Sequence, residues 1–375
     1  MIINNAKVYR NGHFESASIE FDSHIRSFSP GEGMDACGAY IIPGLIDVHT
    51  HGAMGIDASD CTAEQIHHLA QFYSDNGVTS FCFTTLTVPA DELRGAMKNI
   101  RAYERFGGEA KCAGVHLEGP FVSRGKCGAQ NPDNILKPDI ALFNELNELS
   151  GGIVRLITVA PEVEGALDFI REASKVCTVS LGHSTADYDQ AMAGFEAGAT
   201  HVTHLFNGME PFHHRKPGLV GAALTAGANV ELICDGVHIH PAMIVAVHKM
   251  FGDRLIIVSD SLRCAGLCDG RYNLGGLPMI VRDGRATLLD GTIAGSSSNL
   301  LQELRNVVSY GVPLEAAVKA ATETPAKDIG VFDSIGSLET GKCADFLVLN
   351  KDLKLMATFI DGKLVNGTTD FESVK

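Results

Sequence analysis

The chain has 375 residues and a formal net charge of −15. Its length exceeds that of one small domain and suffices for a large α/β barrel with an appendage. The acidic balance argues against nucleic acid or an anionic membrane as the main partner. We expect no membrane span, because no apolar run reaches roughly 18–20 residues, and no signal peptide. Ten cysteines without a CxxC pair favour reduced thiols and a cytoplasmic location.

Both ends of the chain show short strand-like segments joined by polar turns. Residues 1–43 contain several of these segments, and residues 345–367 contain more, with Asp361–Gly362 as a hairpin signal. Chain ends in compact proteins often lie close together. We therefore predict that residues 1–43 and 334–375 form one small β-sandwich domain and that residues 44–333 form the main domain.

The main domain alternates eight short apolar runs with amphipathic, helix-like segments, which is the pattern of βα units. Each run closes on a polar residue, and in chain order these are His51, Thr85, Glu118, Glu162, His183, Asn207, His238 and Asp260. The pattern predicts an α/β fold of the (β/α)8 TIM-barrel type, with an excursion over residues 261–295. A doubly wound open sheet is the alternative. It would normally carry a glycine-rich GxGxxG turn after its first strand, and this chain has none there.

The carboxyl ends of barrel strands meet on one face, so we expect these polar residues to converge there. His49 and His51 lie two apart on the first strand, and both side chains therefore point into the barrel. Two neighbouring imidazoles can ligate one divalent ion. The same pair could be ordinary polar residues at a strand end, so the pattern becomes informative only with further ligands.

Three further residues complete a ligand set. Glu118 ends the third run, where a carboxylate is costly to bury unless it is paired or bound to a metal. His183 ends the fifth run, and His204 lies near the end of the sixth, three residues before Asn207. Singly, each is better explained as a hydrogen-bonded core histidine, as we expect for His116. Together with Glu118 they form an N,N,O set that suits zinc or iron and leaves an open position, the arrangement of a catalytic site.

Asp260 ends the eighth run, where a lone aspartate is usually a helix N-cap. Among several ligand-type residues, its carboxylate can instead hydrogen-bond a water on the metal and accept its proton. The residues alone therefore predict a catalytic metal site at the carboxyl end of the barrel, with Asp260 as the proton acceptor.

Longer motifs extend from about residue 40 to about residue 345 and include HLEGPF, KCGAQNPD, LGHSTADYDQA, THLFNGMEPFHHRKPGLVG, CDGVHIHP, SDSLRCAGLCDGRYNLGG and IAGSS. In this order they closely resemble the N-acetylglucosamine-6-phosphate deacetylases of the amidohydrolase superfamily. The resemblance implies hydrolysis of the acetamide of N-acetylglucosamine 6-phosphate to glucosamine 6-phosphate and acetate, in amino-sugar catabolism. It also implies that a phosphorylated N-acetylhexosamine is the partner and that the chain forms a homodimer.

Carried over by motif, the resemblance implies that Glu118, His183 and His204 hold the principal divalent ion. His49 and His51 would help to hold a second ion, so one or two ions per subunit are expected. Residues implied to contact the substrate or line its pocket are Ala129, Gln130, Asn207, Gly208, Arg215, His238, Ile293, Ala294 and Gly295.

The resemblance also assigns individual roles. Asp260 would be the catalytic acid and base, and Asn207, Arg215 and His238 would contact the sugar phosphate. Where some members have a histidine that polarises the acetyl carbonyl, this chain has Gln130, whose amide donates a hydrogen bond but carries no charge. A second metal ion would supply that polarisation. His238 and His240 form another HxH pair, which could in principle ligate a metal.

Two other functions stay open at this point. The chain could act on N-acetylgalactosamine 6-phosphate or a cyclic amide, as another amidohydrolase. It could also be a non-catalytic sugar-phosphate sensor, although a sensor has no need of the proton acceptor that Asp260 provides.

Overall fold

The computed structural model describes residues 1–371 of the chain. Its centre is a near-closed barrel of eight parallel strands, ordered as they occur in the chain. The strands are β1 (Leu45–Thr50), β2 (Val78–Thr85), β3 (Lys111–Glu118), β4 (Val154–Val159), β5 (Thr178–Leu181), β6 (His201–Val202), β7 (Asn229–Ile233) and β8 (Leu255–Val258). The consecutive order excludes a doubly wound sheet, whose strand order reverses at a switch point. The predicted TIM-type barrel is confirmed.

Hydrogen bonds between the ends of β1 and β8 help to close the barrel. The Ser259 hydroxyl donates to Asp47 Oδ2 at 2.6 Å, and the Asp260 amide donates to the His49 carbonyl at 2.9 Å. Burial raises the pKa of the Asp47 carboxyl to about 7, although Ser259 and His49 lower it. This closure sets the strand that carries the HxH pair beside the strand that leads to Asp260.

A helix follows each barrel strand. Within residues 1–371 these helices are Ala63–Asp75, Ala90–Ala102, Ile140–Leu149, Ala166–Ala173, Tyr188–Glu196, Gly218–Ala226, Pro241–Phe251 and Leu300–Ser309, followed by Leu314–Ala321 and Glu323–Asp328. The first begins with a capping box, in which the side chains of Thr62 and Gln65 each accept from the other's backbone amide. No helix among the described residues combines the length and apolar character needed to cross a membrane.

The five strands β4–β8 end two or more residues earlier than the apolar runs predicted. Three of them, β5, β6 and β8, each end two residues before a site residue, namely His183, His204 and Asp260. These residues have φ angles of 46°, 27° and 46°. Such left-handed backbone costs a non-glycine residue roughly 1–3 kcal/mol, so surrounding contacts must hold it. The predicted strand ends lie too far along the chain, because the apolar pattern continues through residues that no longer form strand-to-strand hydrogen bonds.

Both chain ends contribute to one sheet of eight strands. Across the sheet these are Lys363–Gly367, Leu355–Ile360, Phe346–Leu349, Tyr40–Pro43, Ile2–Arg10, His13–Phe21 and Ile25–Ser27, with Met34–Asp35 paired to Ile2–Arg10. Phe21 and Phe346 lie three strands apart, yet their rings are 4.9 Å from each other. Because adjacent strands are about 4.8 Å apart, the sheet must curl until its halves face each other, as in a sandwich.

The turn predicted at Asp361–Gly362 joins two antiparallel strands of this sheet, which confirms the hairpin. The sheet contains strands from both chain ends, as predicted for the small domain. The limits of the two domains, at residues 43 and 334, stay a prediction.

A separate antiparallel sheet follows β8. Its strands are Gly270–Leu274, Leu277–Arg282 and Arg285–Leu288, and they lie within the predicted excursion over residues 261–295. An isolated bridge between Thr287 and Ile293 returns the chain toward the barrel. The remaining short elements are a ribbon of Gly52–Ala53 with Ile56–Asp57 and 3-10 turns at Arg124–Lys126, Pro132–Asn134 and Gly252–Arg254.

A partly buried ion pair joins the barrel to the end sheet. Lys111 Nζ, at the start of β3, lies 2.8 Å from Asp345 Oδ2 and 2.5 Å from Asp361 Oδ1. Asp345 is only 5% exposed. Its charge therefore depends on Lys111 rather than on water.

Replacing Lys111 should destabilise this junction. We expect Lys111→Met to lower the free energy of unfolding by about 3 kcal/mol, because it leaves a buried carboxylate without its partner. Lys137→Met is the control, since Lys137 and its partner Glu164 are both exposed, and it should leave stability unchanged. Urea unfolding followed by circular dichroism measures both variants. Equal stability of the two would contradict the argument from burial.

Candidate active site and metal centre

A cavity of about 180 Å³ lies at the carboxyl end of the barrel. The predicted site residues that line it are His51, Glu118, Ala129, Gln130, His183, His204, Asn207, Gly208, His238, Asp260, Ile293, Ala294 and Gly295. His49 lies behind them, fully buried, and Arg215 lines a different cleft. The lining residues come from the ends of β1, β3, β5, β6, β7 and β8 or the loops that follow. Such convergence is expected at the functional face of a barrel.

Glu118, at the end of β3, is the centre of the cluster. Its Oε1 lies 3.0 Å from His183 Nε2 and 2.8 Å from His204 Nε2, and its Oε2 lies 3.2 Å from His51 Nε2. Burial acts to raise the pKa of this carboxyl. The neighbouring His49 and His183 outweigh burial and hold the pKa well below its usual range, so the group is an anion.

Hydrogen bonds fix the ring orientation of three of the histidines. His183 and His51 donate from Nδ1 to backbone carbonyls at 2.9 Å and 3.1 Å, and His49 donates from Nδ1 to Glu231 at 2.8 Å. A neutral imidazole that donates from Nδ1 has a lone pair on Nε2. The Nε2 atoms of His49 and His51 are 3.3 Å apart, and those of His183 and His204 are 3.1 Å apart. Carboxylate neighbours raise the pKa of His49, His51 and His183 against the effect of burial, so a cation at these Nε2 atoms would replace protons. At these distances the nitrogen atoms fit ligands that share such a cation.

Two groups of side chains can therefore each hold a divalent ion. One group is Glu118, His183 and His204, and the other is His49, His51 and Glu118. Within each group the ligand atoms lie within 4.8 Å of one another. Because Glu118 belongs to both, one carboxylate can serve two neighbouring ions. The nitrogen and carboxylate donors suit a divalent transition metal.

Asp260 faces the same cluster. Its Oδ1 lies 3.2 Å from His51 Nε2 and 3.5 Å from His49 Nε2. Burial acts to raise the pKa of this carboxyl, but the two histidines outweigh it and lower the pKa. The ionised group can accept a proton. A Cβ atom at Gly295 would lie 2.9 Å from Asp260 Oδ1, so the glycine permits this close approach.

Gln130 is buried between Glu118 and Thr87. Its amide nitrogen donates a short hydrogen bond to Glu118 Oε2, and its amide oxygen accepts from the Thr87 backbone amide at 2.7 Å. Gln130 does line the cavity, as the sequence indicated. The protein nevertheless engages its oxygen and one N–H, so the side chain orients the shared metal ligand and keeps one N–H for other partners.

His238 contributes positive charge to the cavity wall. Its Nδ1 lies 2.8 Å from Asp235 Oδ2, and its Nε2 lies 2.7 Å from the Ala294 carbonyl. An imidazole that donates from both nitrogens is a cation. Burial lowers the pKa of His238, but Asp235 outweighs burial and raises it. His240 is exposed and caps a helix by accepting from the Ala242 amide, so the structure does not bring this second HxH pair together as a metal site.

Arg215 lies outside the cavity. It is exposed, and its guanidinium is 2.8 Å from His214 Nε2. With Asp187 and Lys216 it lines a separate surface cleft. Within one chain, the structure therefore does not bring Arg215 together with the other predicted site residues.

Glu231, on β7, is a buried residue of the site that the sequence pattern did not predict. Its Oε2 accepts from His49 Nδ1 at 2.8 Å and from the His204 backbone amide at 3.1 Å. Its Oε1 lies 3.2 Å from His201 Nε2. A charged residue inside the apolar run VELIC was the available signal, because a buried carboxylate requires a partner.

Glu162, which ends the fourth apolar run, supports the loop of His183. Its Oε2 accepts from the Ser184 hydroxyl at 2.7 Å, and its Oε1 accepts from the Thr185 amide at 2.6 Å. These bonds hold the segment directly after the left-handed residue His183. Glu162 thus acts on the site through the backbone and is not a ligand.

Removing the shared carboxylate should empty both metal groups. We expect metal bound to Glu118→Gln to fall to background, because the amide keeps the size of the side chain but not its negative charge. Glu109→Gln is the matched control, since Glu109 is buried beside His67, outside the two metal groups. Elemental analysis after dialysis measures the metal. Wild-type metal content in Glu118→Gln would contradict the assignment.

Comparison with known proteins gives the family. The model of the amidohydrolase family matches residues 40–365. N-acetylglucosamine-6-phosphate deacetylase of Vibrio furnissii is 36% identical over 330 residues, which cover 87% of this chain and 82% of that protein. N-acetylgalactosamine-6-phosphate deacetylase of Escherichia coli O157:H7 is also 36% identical over 330 residues, covering 87% and 88%.

A solved structure agrees with the sequence comparison. A mutant N-acetyl-D-glucosamine-6-phosphate deacetylase from Mycobacterium smegmatis, in complex with N-acetyl-D-glucosamine-6-phosphate, matches with a TM-score of 0.92 and 30% identity. The match covers 98% of this chain and 99% of that one. The family is metal-dependent, in agreement with the cluster around Glu118. The resemblance predicted from the motifs is thus confirmed, and the chain belongs to the amidohydrolase family.

Proposed function

We propose that this chain hydrolyses the acetamide of N-acetylglucosamine 6-phosphate to glucosamine 6-phosphate and acetate. The observation that carries the proposal is the position of Asp260, a proton acceptor that lines the same cavity as the metal ligands. Similarity over most of the chain to deacetylases that are named for this substrate supports the choice of substrate.

The cavity residues divide the chemistry among them. A divalent ion bound by the histidines and Glu118 would polarise the acetyl carbonyl and lower the pKa of a water molecule toward neutrality. Asp260 accepts a proton from the attacking water. It then donates that proton to the sugar nitrogen as the carbon–nitrogen bond breaks, which releases acetate and the free amine. Gln130 supports these steps by holding Glu118 in place.

The ion is proposed to be zinc or iron, with one or two ions per subunit. Nitrogen and carboxylate donors suit both metals. The intact pair of His49 and His51 beside Glu118 supports a second position. Elemental analysis of the purified protein identifies the metal and counts it.

Removing the proton acceptor should separate catalysis from metal binding. We expect Asp260→Asn to lower kcat for acetate release by about 10²–10⁴-fold, the usual contribution of general acid and base catalysis. Bound metal should stay near the wild-type level, because both ligand groups remain. Acetate release and elemental analysis are measured on one preparation. A variant that keeps most of its activity would refute the role of Asp260.

The phosphate of the substrate requires positive charge. Among the residues that line the cavity, none is lysine or arginine, and His238 is the charged residue that we assign there, with both of its N–H groups engaged by Asp235 and the Ala294 carbonyl. Arg215 offers a planar fork suited to phosphate oxygens, but it lies on the surface of its own chain. We propose that a homodimer brings the exposed loop of Arg215, His213, His214 and Lys216 to the cavity of the other subunit.

Arg215→Ala should then act on substrate binding more than on chemistry. We expect KM for the phosphorylated sugar to rise by at least about 10-fold, as for loss of a charge-assisted hydrogen bond of 1.5–3 kcal/mol. KM for the unphosphorylated sugar should change little. Steady-state kinetics with both substrates measures the difference, and light scattering gives the oligomeric state. Equal effects on the two sugars, or a monomer with wild-type kinetics, would contradict the proposal.

N-acetylgalactosamine 6-phosphate is the second candidate substrate, because a deacetylase named for it is as similar to this chain as the one from Vibrio furnissii. The two sugars differ only in the configuration of one hydroxyl. Comparison of kcat/KM for both decides between them. Binding of either sugar without acetate release would instead support the sensor.

All ten cysteines are free thiols, which supports a cytoplasmic location.

A further inference from the structure

Glu231 contacts both metal groups from inside the barrel. It lies on β7 and is fully buried. Its Oε2 accepts from His49, a member of one group, and from the backbone amide of His204, a member of the other. Glu118 belongs to both metal groups and lines the cavity. Glu231 also contacts both groups, but from inside the barrel, on the side away from the cavity.

A charged pair lies behind Glu231. Its Oε1 is 3.2 Å from His201 Nε2, and His201 Nδ1 is 2.7 Å from Asp328 Oδ2. A carboxylate at each ring nitrogen stabilises an imidazolium. Burial lowers the pKa of His201, but Asp328 and then Glu231 outweigh burial and raise that pKa to about 10. Glu231 therefore accepts a hydrogen bond from His49 Nδ1 on one side and faces the buried His201 cation on the other.

Stability alone does not explain this row of buried charges. Replacing a buried ion pair by apolar side chains of similar volume is often neutral or stabilising. This row of contacts runs from Asp328 through His201 and Glu231 to His49, and His49 belongs to one of the two metal groups. A carboxylate that accepts the outer N–H of a ligating histidine fixes its tautomer and ring orientation and raises its basicity.

We propose that Glu231, held by His201 and Asp328, is a positioning residue that sets the affinity of the divalent ion bound by His49 and His51. This inference rests on the metal binding proposed above. Glu231 fixes Nδ1 of His49 as the donor, so that Nε2 offers its lone pair to the ion.

The ion at Glu118, His183 and His204 depends less on Glu231. The contact of Glu231 with His204 is to the backbone amide, so it holds the strained backbone without changing the basicity of the ring. Loss of the Glu231 charge should therefore weaken the two ions unequally. That inequality distinguishes a positioning role from a general loss of structure.

The experiment compares Glu231→Gln with Glu303→Gln. Glutamine keeps the size of glutamate and removes its charge. Glu303 is the control for the same replacement at a buried position away from the metal groups, on the helix Leu300–Ser309 beside Ser298 and the Cys234 backbone. Burial raises the pKa of the Glu303 carboxyl well above its usual range, so Glu303→Gln tests the loss of a buried carboxyl without the loss of a charge. Circular dichroism melting of the metal-free proteins records any change of stability in either variant.

Each full-length protein is stripped of metal and titrated with Zn²⁺ against a chelating dye. Wild type should bind two ions per chain. We assign the weaker ion to His49 and His51, since the family resemblance makes Glu118, His183 and His204 the principal site. In Glu231→Gln the Kd of this weaker ion should rise about 10–100-fold, the usual effect of losing such a partner, and the Kd of the tighter ion should rise less. Glu303→Gln should keep both values. With Co²⁺ as the probe, the visible spectrum of the weaker site should change only in Glu231→Gln.

The possible failures are distinguishable. A wild-type protein that binds no ion refutes the metal-dependent function together with this inference. A single ion, or two ions with unchanged Kd values in Glu231→Gln, refutes the positioning role alone. Asp328→Asn keeps a hydrogen bond to His201 and should raise the weaker Kd by a smaller factor, and an unchanged Kd would overturn the role of His201 and Asp328.

Direct ligation by Glu231 is the competing explanation. His49, His116 and Glu231 could themselves hold an ion, although His116 Nε2 bonds the Thr158 hydroxyl at 2.8 Å. His116→Asn removes a ligand of that group and leaves His51 intact. We expect both Kd values to stay unchanged in this variant. Loss of the weaker ion would overturn the positioning role, because Glu231 would then be a ligand.

Discussion

The contact on which the site depends is the meeting of one carboxylate with histidines from three barrel strands. Glu118 lies within about 3 Å of His51, His183 and His204. A buried carboxylate needs positive charge beside it, which protons on the histidines or a metal ion can supply. Left-handed backbone at His183 and His204 adds strain. The free energy of metal binding can offset both costs, so occupancy of the site and stability of the fold are linked.

The predicted metal ligands are held in place by surrounding residues that are not predicted to bind the metal themselves. Glu162 ties the loop after His183, and Glu231 ties His49 and the backbone of His204. Gln130 is also one of these residues, since it holds Glu118 while it lines the cavity. The hydrogen bond from the Gln130 amide fixes the direction of the carboxylate. In the function proposed above, polarisation of the acetyl carbonyl would then be supplied by the metal ion.

The fold and the convergence of most predicted site residues could be predicted because parallel barrel strands bring their carboxyl ends to one face. Polar residues that close apolar runs, such as Glu118 and Asp260, therefore lie around one cavity. Other features depend on contacts between residues that are far apart in the chain, and local sequence patterns do not indicate such contacts. Glu231 and His49 are hydrogen-bonded although 182 residues separate them in the chain. Several strands end earlier than predicted, because an apolar run does not show where the hydrogen bonds between strands stop. The motif that contains Arg215 indicated phosphate binding, but the structure places that residue in a surface cleft.

Charge balance in the cavity bears on how the substrate phosphate is held. His238 supplies a positive charge, but Asp235 lies beside it and cancels much of that charge. The metal ligands cluster where the acetamide is proposed to react, so their ions cannot also neutralise a phosphate at the other end of a hexose. The chain as a whole is strongly acidic, and a dianion entering such a field needs a local cation. With no lysine or arginine among the residues that line the cavity, the source that we propose for this cation is the loop of Arg215 on a second subunit. Association of two chains would then complete the substrate site.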